Sequence, residues 1–144
     1  MHKFIKPHQQ RSLIKSSAKD IKLIKDEENN CCVISFKYLD KKQGQTFEDW
    51  ESDKILAKAL NNLTTRCKDT IDNQIGESFT KYRSFPPREK TDFYFPLHVP
   101  QDATWARIHI TGKQCVVGHV YHNVFYIVFL DKNHRFWIKE LSHT

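Results

Sequence analysis

Hydrophobic and polar positions alternate most regularly in the last third of the chain. "TWARIHIT", residues 104–111, sets Trp105, Arg107, His109 and Thr111 against Ala106, Ile108 and Ile110, the period of two of a half-buried strand. The short turn "GK" leads into "QCVVGHVYH", and "HN" leads into "VFYIVFL", residues 124–130. Three β-rich runs joined by two short turns predict an antiparallel meander. The third run is apolar on both faces, which suits a central strand with a helix laid over one side.

Upstream, "CCVISFKYLD", residues 31–40, predicts a further strand, with Cys32, Ile34, Phe36 and Tyr38 on one face and Val33 and Ser35 on the other. After the polar turn "KKQGQ", Thr46 and Asp49 form a capping-box-like T-x-x-D. Glu48, Asp49, Glu51 and Asp53 fill the next two turns, where the helix dipole favours acids and accounts for them without a metal. Leu56, Leu60, Leu63, Cys67 and Ile71 then fall on one continuous face, predicting a single helix over 47–73 with Gly76 as its stop. Residues 82–100, "YRSFPPREKTDFYFPLHVP", carry four of the five prolines and read as a connecting segment. Its Phe85, Phe93, Tyr94 and Phe95 are expected to pin it to the core. Residues 1–30 read as a basic arm or a weakly amphipathic helix. The expected organisation is that arm followed by one α+β domain over residues 31–144. In it, an N-terminal strand and helices pack on a small antiparallel sheet ending in the three-strand meander.

Charge sharpens this outline. Of the net +6, residues 1–30 hold +3, residues 31–79 hold −1 and residues 80–144 hold +4. A basic C-terminal part beside a near-neutral middle points to an anionic partner, of which nucleic acid is the commonest, although basic excess also serves solubility alone. No apolar run reaches bilayer length, and the basic N-terminus lacks an apolar signal region. Cys31, Cys32, Cys67 and Cys115 show no framework spacing. A cytoplasmic protein with reduced thiols and no membrane association is the expectation.

The tail "HITGKQCVVGHVYHNVFYIVFLDKNHRFW" resembles the C-terminal half of the RelE/ParE-like toxin superfamily. The matching features are a strand, a Gly-centred turn at Gly112 with Lys113 after it, then an apolar strand ending in His134, Arg135 and Trp137. The chain departs from the pattern by placing "KQCVVGH" where the family usually has an arginine, by its N-terminal arm, and by its longer proline-rich connection. The resemblance implies a RelE-like fold and a toxin that cleaves mRNA, as members usually do on the ribosome although a gyrase-poisoning branch is not a nuclease, neutralised by a cognate antitoxin protein. It implies neither cofactor nor metal.

Metal-free RNA cleavage needs a proton acceptor for the 2′-hydroxyl, cations for the crowded phosphate and a proton donor for the leaving oxygen. His134 supplies a ring that titrates near neutrality, and Arg135 and Arg107 supply planar forks matched to phosphate. Trp137 can stack on a base, and Arg83, Lys113 and Lys132 are further candidates for RNA phosphates. Each has a structural reading beside it: "DKNH" is ordinary turn chemistry, and Phe136 faces the core if the strand continues. His109, beside Arg107, reads first as the polar side of a half-buried sheet, and as a second titratable ring only if that face is concave. His119 and His122 have H-x-x-H spacing, but residues three apart on a strand point to opposite faces, so no zinc site is expected. The alternative function is a non-catalytic basic module that binds nucleic acid or protein.

Overall fold

The structure is a computed structural model that describes residues 30–139. The arm expected over residues 1–30 lies outside the described residues, Asn30 apart. The elements are β1 (Val33–Ser35), α1 (Phe47–Ser52), α2 (Leu56–Arg66), α3 (Ile71–Gln74) and β2 (Phe79–Lys81). A 3-10 turn (Arg88–Lys90), β3 (Thr104–Thr111), β4 (Gln114–Tyr121) and β5 (Val124–Asp131) follow. The class is α+β, and the meander β3–β5 stands where alternation placed it.

The sheet has five strands in the order β1-β5-β4-β3-β2. It is mixed, not antiparallel as expected: β1 runs parallel to β5, pairing Val33 with Val124 and Ser35 with Tyr126, while the other neighbours are antiparallel. The helices carry the chain from β1 to the far edge, and the meander brings it back strand by strand to lie along β1. β2 was not visible as a strand because "FTK" is too short for a period to register. It forms because Phe79, fully buried, pairs with Ile108 and fills the core under the helices. The strand expected over 31–40 ends at Ser35. Beyond it the chain still follows β5, with Asp40 and Gln45 N–H groups donating to the Val128 and Leu130 carbonyls.

The predicted single helix is three pieces. Its start is as expected: the Thr46 hydroxyl accepts from the Asp49 N–H at 3.0 Å, and the Asp49 carboxylate accepts from the Thr46 N–H at 3.0 Å. Lys54 then adopts φ 62°, while Ile55 N–H donates to Trp50 O and Lys54 N–H to Glu51 O. That is a Schellman ending with lysine in the left-handed position usually held by glycine. The new axis rotates the buried stripe to Ile55, Ala59 and Leu63, leaving Leu60 45% exposed.

Two apolar clusters sandwich the sheet. Under the helices, Trp50, Leu63 and Ile71 pack on Phe79, Ile108, Phe125 and Ile127. On the other face, Trp105, Val117 and Phe129 meet Phe93, Val99 and Phe136, so the 82–100 connection is a strap over the sheet. Phe85 and Phe95 close on Trp105 at ring separations of 5.1 and 5.7 Å. Tyr94, expected in the core, is exposed beneath the Arg88 guanidinium, 4.0 Å away. At a bulge between β4 and β5, Gly118 passes so close to Tyr126 O that a Cβ would lie 1.7 Å from it. All four cysteines are free. Among the described residues no helix is long and apolar enough to cross a membrane.

Candidate functional site

The end of β5 is organised by Asp131, which is 2% exposed. Its carboxylate accepts from the Arg135 N–H at 2.9 Å and from the Phe136 N–H at 2.9 Å, closing a turn in which His134 takes φ 60°. Burial raises the Asp131 pKa, against the pull of those two N–H groups and of the nearby His134 and Arg107. The tail is then laced to the strap: Asp92 N–H donates to Arg135 O, and Ile138 N–H to Lys90 O. Extended backbone puts successive side chains on opposite sides. Phe136 enters the core at 1% exposure, and Trp137 stacks on Tyr82, ring centres 4.8 Å apart and planes 16° from parallel.

Beside this turn β3 presents Arg107. Pairing of β2 with β3 sets Thr80 opposite it, and Arg107 Nη2 donates to Thr80 Oγ1 at 2.9 Å. Arg107 Nη1 lies 2.8 Å from His134 Nε2. A guanidinium only donates, so Nε2 accepts and the ring is neutral with its proton on Nδ1. The His134 pKa is lowered, first by burial and then by the Arg107 charge. His109 adds to the lowering, while the ring's bond to its own carbonyl and Asp131 oppose it. Burial raises the Tyr82 pKa, with the Arg107 cation opposing; the Arg107 Cζ sits 6.0 Å from the Tyr82 ring centre. Among the described residues Arg107 Nε is buried without a partner. His109 Nε2 donates to the Gly112 carbonyl across the β3–β4 turn. The result is a half-buried pair of imidazole and guanidinium, a second imidazole within electrostatic reach and an aromatic stack alongside. This arrangement can exchange a proton next to a bound anion.

The structure brings Arg107, His134 and Trp137 to one end of the sheet and takes Arg135 elsewhere. Arg135 Nε donates to Asp92 Oδ2 at 2.6 Å, both side chains about half exposed, above a groove also lined by Gln43, Tyr94 and Asn133. Lys132 is held 2.7 Å from Asp53, which ties the turn to the end of α1. Lys113 and Arg83 stand exposed. His119 is buried in β4, whereas His122 sits in the next turn at φ 56° against the Tyr121 ring, so the two do not converge. Among the described residues no three His, Cys, Asp or Glu side chains gather as a metal would require. Thr80 and Tyr82 were not singled out from the sequence as site residues. The first lies in the unseen β2 and the second opens a segment marked by its prolines; only the three-dimensional pairing with Arg107 reveals them.

No protein-family model matches the chain, and no curated protein or solved structure matches it significantly.

Proposed function

We propose that the chain is a metal-independent endoribonuclease acting on mRNA, of the RelE-like toxin kind, with His134 moving the proton and Arg107 binding the phosphate. The observation that carries the reading is the 2.8 Å contact between Arg107 Nη1 and His134 Nε2. It holds a neutral ring and a phosphate-matched cation at one place. In the reaction the ribose 2′-oxygen attacks the neighbouring phosphorus and the bond to the 5′-oxygen breaks. The products are a 2′,3′-cyclic phosphate and a 5′-hydroxyl. His134 Nε2 takes the 2′-hydroxyl proton, Arg107 holds the phosphate oxygens as charge builds, and the departing 5′-oxygen takes a proton back from the His134 imidazolium so formed. Incoming phosphate draws the guanidinium off Nε2, so the substrate itself uncovers the base. The Trp137–Tyr82 stack offers a flat surface to an unpaired base, and Lys113 and Arg83 are exposed cations for neighbouring phosphates. The order of strand, helices and meander supports the superfamily reading. In that reading the ribosome is the place of action, and a cognate antitoxin covers this end of the sheet.

The test is cleavage of RNA by the full-length protein in chelator, with product ends mapped, beside His134→Asn and Arg107→Gln. Asparagine is the informative replacement because it tolerates the positive φ at 134, where alanine adds strain. Each variant is expected to lose about 100-fold or more in rate with its fold intact. Cleavage that is unchanged in both would refute the assignment. The second reading, a non-catalytic binding module, is favoured by one fact: the resting Nε2 lone pair is already occupied by Arg107. It predicts salt-sensitive RNA binding without turnover.

A further inference from the structure

At the opposite end of the strapped sheet face lies a separate cavity of about 480 Å³, whose walls include Tyr38, His119, Tyr126, Pro100, Ala103 and Thr104. His119 and Tyr126 face each other across the β4–β5 pairing and stack with ring centres 4.9 Å apart and planes 22° from parallel. Tyr38 meets both rings, 5.1 Å from His119 and 5.0 Å from Tyr126. His119 is 4% exposed, and among the described residues its Nε2 has no hydrogen-bond partner and is closed off from solvent. A leucine or phenylalanine there would pack without that cost. Burial lowers the His119 pKa; a neutral ring offers one donor and one acceptor.

The chemistry of the walls selects the ligand. Three stacked or tilted rings favour a flat aromatic partner. The polar groups around them are a hydroxyl at Thr104, the tyrosine hydroxyls and the exposed Asp102 carboxylate, which suit the mixed donor and acceptor edge of a heterocycle. Among the described residues no lysine or arginine lines the cavity, so a phosphate finds no cation among these walls. Lys37 stands outside those walls with Nζ 5.2 Å from the Tyr38 ring centre and supplies a cation at that edge. The volume falls in the range of small-ligand sites and exceeds what a lone ammonium group fills.

We propose that this cavity binds one unpaired nucleobase against the part-exposed rings of Tyr38 and Tyr126, with the buried His119 ring directly behind them and the sugar and phosphate left outside towards Lys37. The choice of a base over other flat rings rests on the ribonuclease reading above. The base comes either from a free mononucleotide or from single-stranded RNA, and the chemistry at the rings is the same. A base held here sits apart from the Arg107–His134 pair, because Trp105, Phe129 and Phe136 are packed between.

The experiment uses the full-length protein carrying His134→Asn, the variant expected to slow any cleavage of the RNA ligand, with its histidine rings isotopically labelled. It is titrated with the four nucleoside monophosphates and, separately, with a short single-stranded RNA while the His119 resonances are followed. Saturable movement of His119 with at least one ligand is expected, weakened about tenfold or more by Tyr126→Ala and by Ala103→Trp. The second variant fills the cavity rather than emptying a wall, and carries the test if Tyr126→Ala fails to fold by circular dichroism. Movement with RNA alone also supports the site and names RNA as the source. No movement with any of the five ligands overturns it, and so does binding that the cavity-filling variant leaves unchanged. Nucleotide binding at His119, found beside a wild-type protein that cuts no RNA, upholds the cavity and removes only the ribonuclease reading.

Discussion

Replacing Asp131 by alanine removes the acceptor of two backbone N–H groups at once. The Phe136 N–H is buried and the Arg135 N–H partly so, each 2.9 Å from a carboxylate oxygen. Hydrogen bonds to a charged acceptor contribute roughly 1.5–3 kcal/mol each. The gain is offset by the cost of burying the carboxylate, which is large enough to raise its pKa despite those bonds. A net loss of about 2–4 kcal/mol follows, or a fall in Tm on the order of 10 °C for a domain of this size. Urea and thermal melts measure it. Asp131→Asn keeps one acceptor and discards the charge, so it should lose distinctly less. The two also separate by pH. A carboxyl with a raised folded pKa penalises the fold as pH climbs from its ordinary value through the raised one, so wild type loses ground to Asp131→Asn over that window. If Asp131→Ala melts within about 0.5 kcal/mol of wild type, the turn is held by something else and the reasoning fails.

Arg135→Ala should leave the urea and thermal midpoints close to those of wild type, because its ion pair with Asp92 is exposed, and should leave RNA cleavage within an order of magnitude. A collapse of cleavage in Arg135→Ala beside an active Arg107→Gln would reverse the assignment of the phosphate cation. His134 and His119 both have lowered pKa values in the fold, so stability is full above the ordinary histidine value near 6.5. It drains as pH falls from there through the folded values, and His134→Asn should flatten that slope in melts between pH 7 and 4. Gly118→Ala drives a Cβ into the Tyr126 carbonyl and should cost about 3 kcal/mol or more; a urea midpoint equal to wild type would show that the bulge relaxes freely.

The meander was legible because strict alternation is bounded by two short turns, and the start of α1 because Thr46 and Asp49 are three apart. What stayed hidden depends on partners far along the chain. Lysine at 54 carries no breaker signal, yet packing of Trp50 and Ile55 beneath the sheet bends the helix there. The parallel pairing of β1 with β5 has no local signature. At the candidate site, His134 and Arg107 could each be picked by residue type, but their contact spans 27 positions. Arg135 looked equivalent to His134 until Asp92, 43 residues away, was seen to hold it.

The pairing of β1 with β5 also bears on how the chain reaches its fold. The four strands from β2 to β5 run in sequence across one continuous sheet, whereas Val33 must find Val124 across roughly 90 residues. Pairing at such separation is slow compared with the hairpins, so β1 docks late. Until then β5 presents an open edge to any other chain in the same state. Refolding at high concentration should therefore yield dimers that exchange β1, and dilute refolding should suppress them.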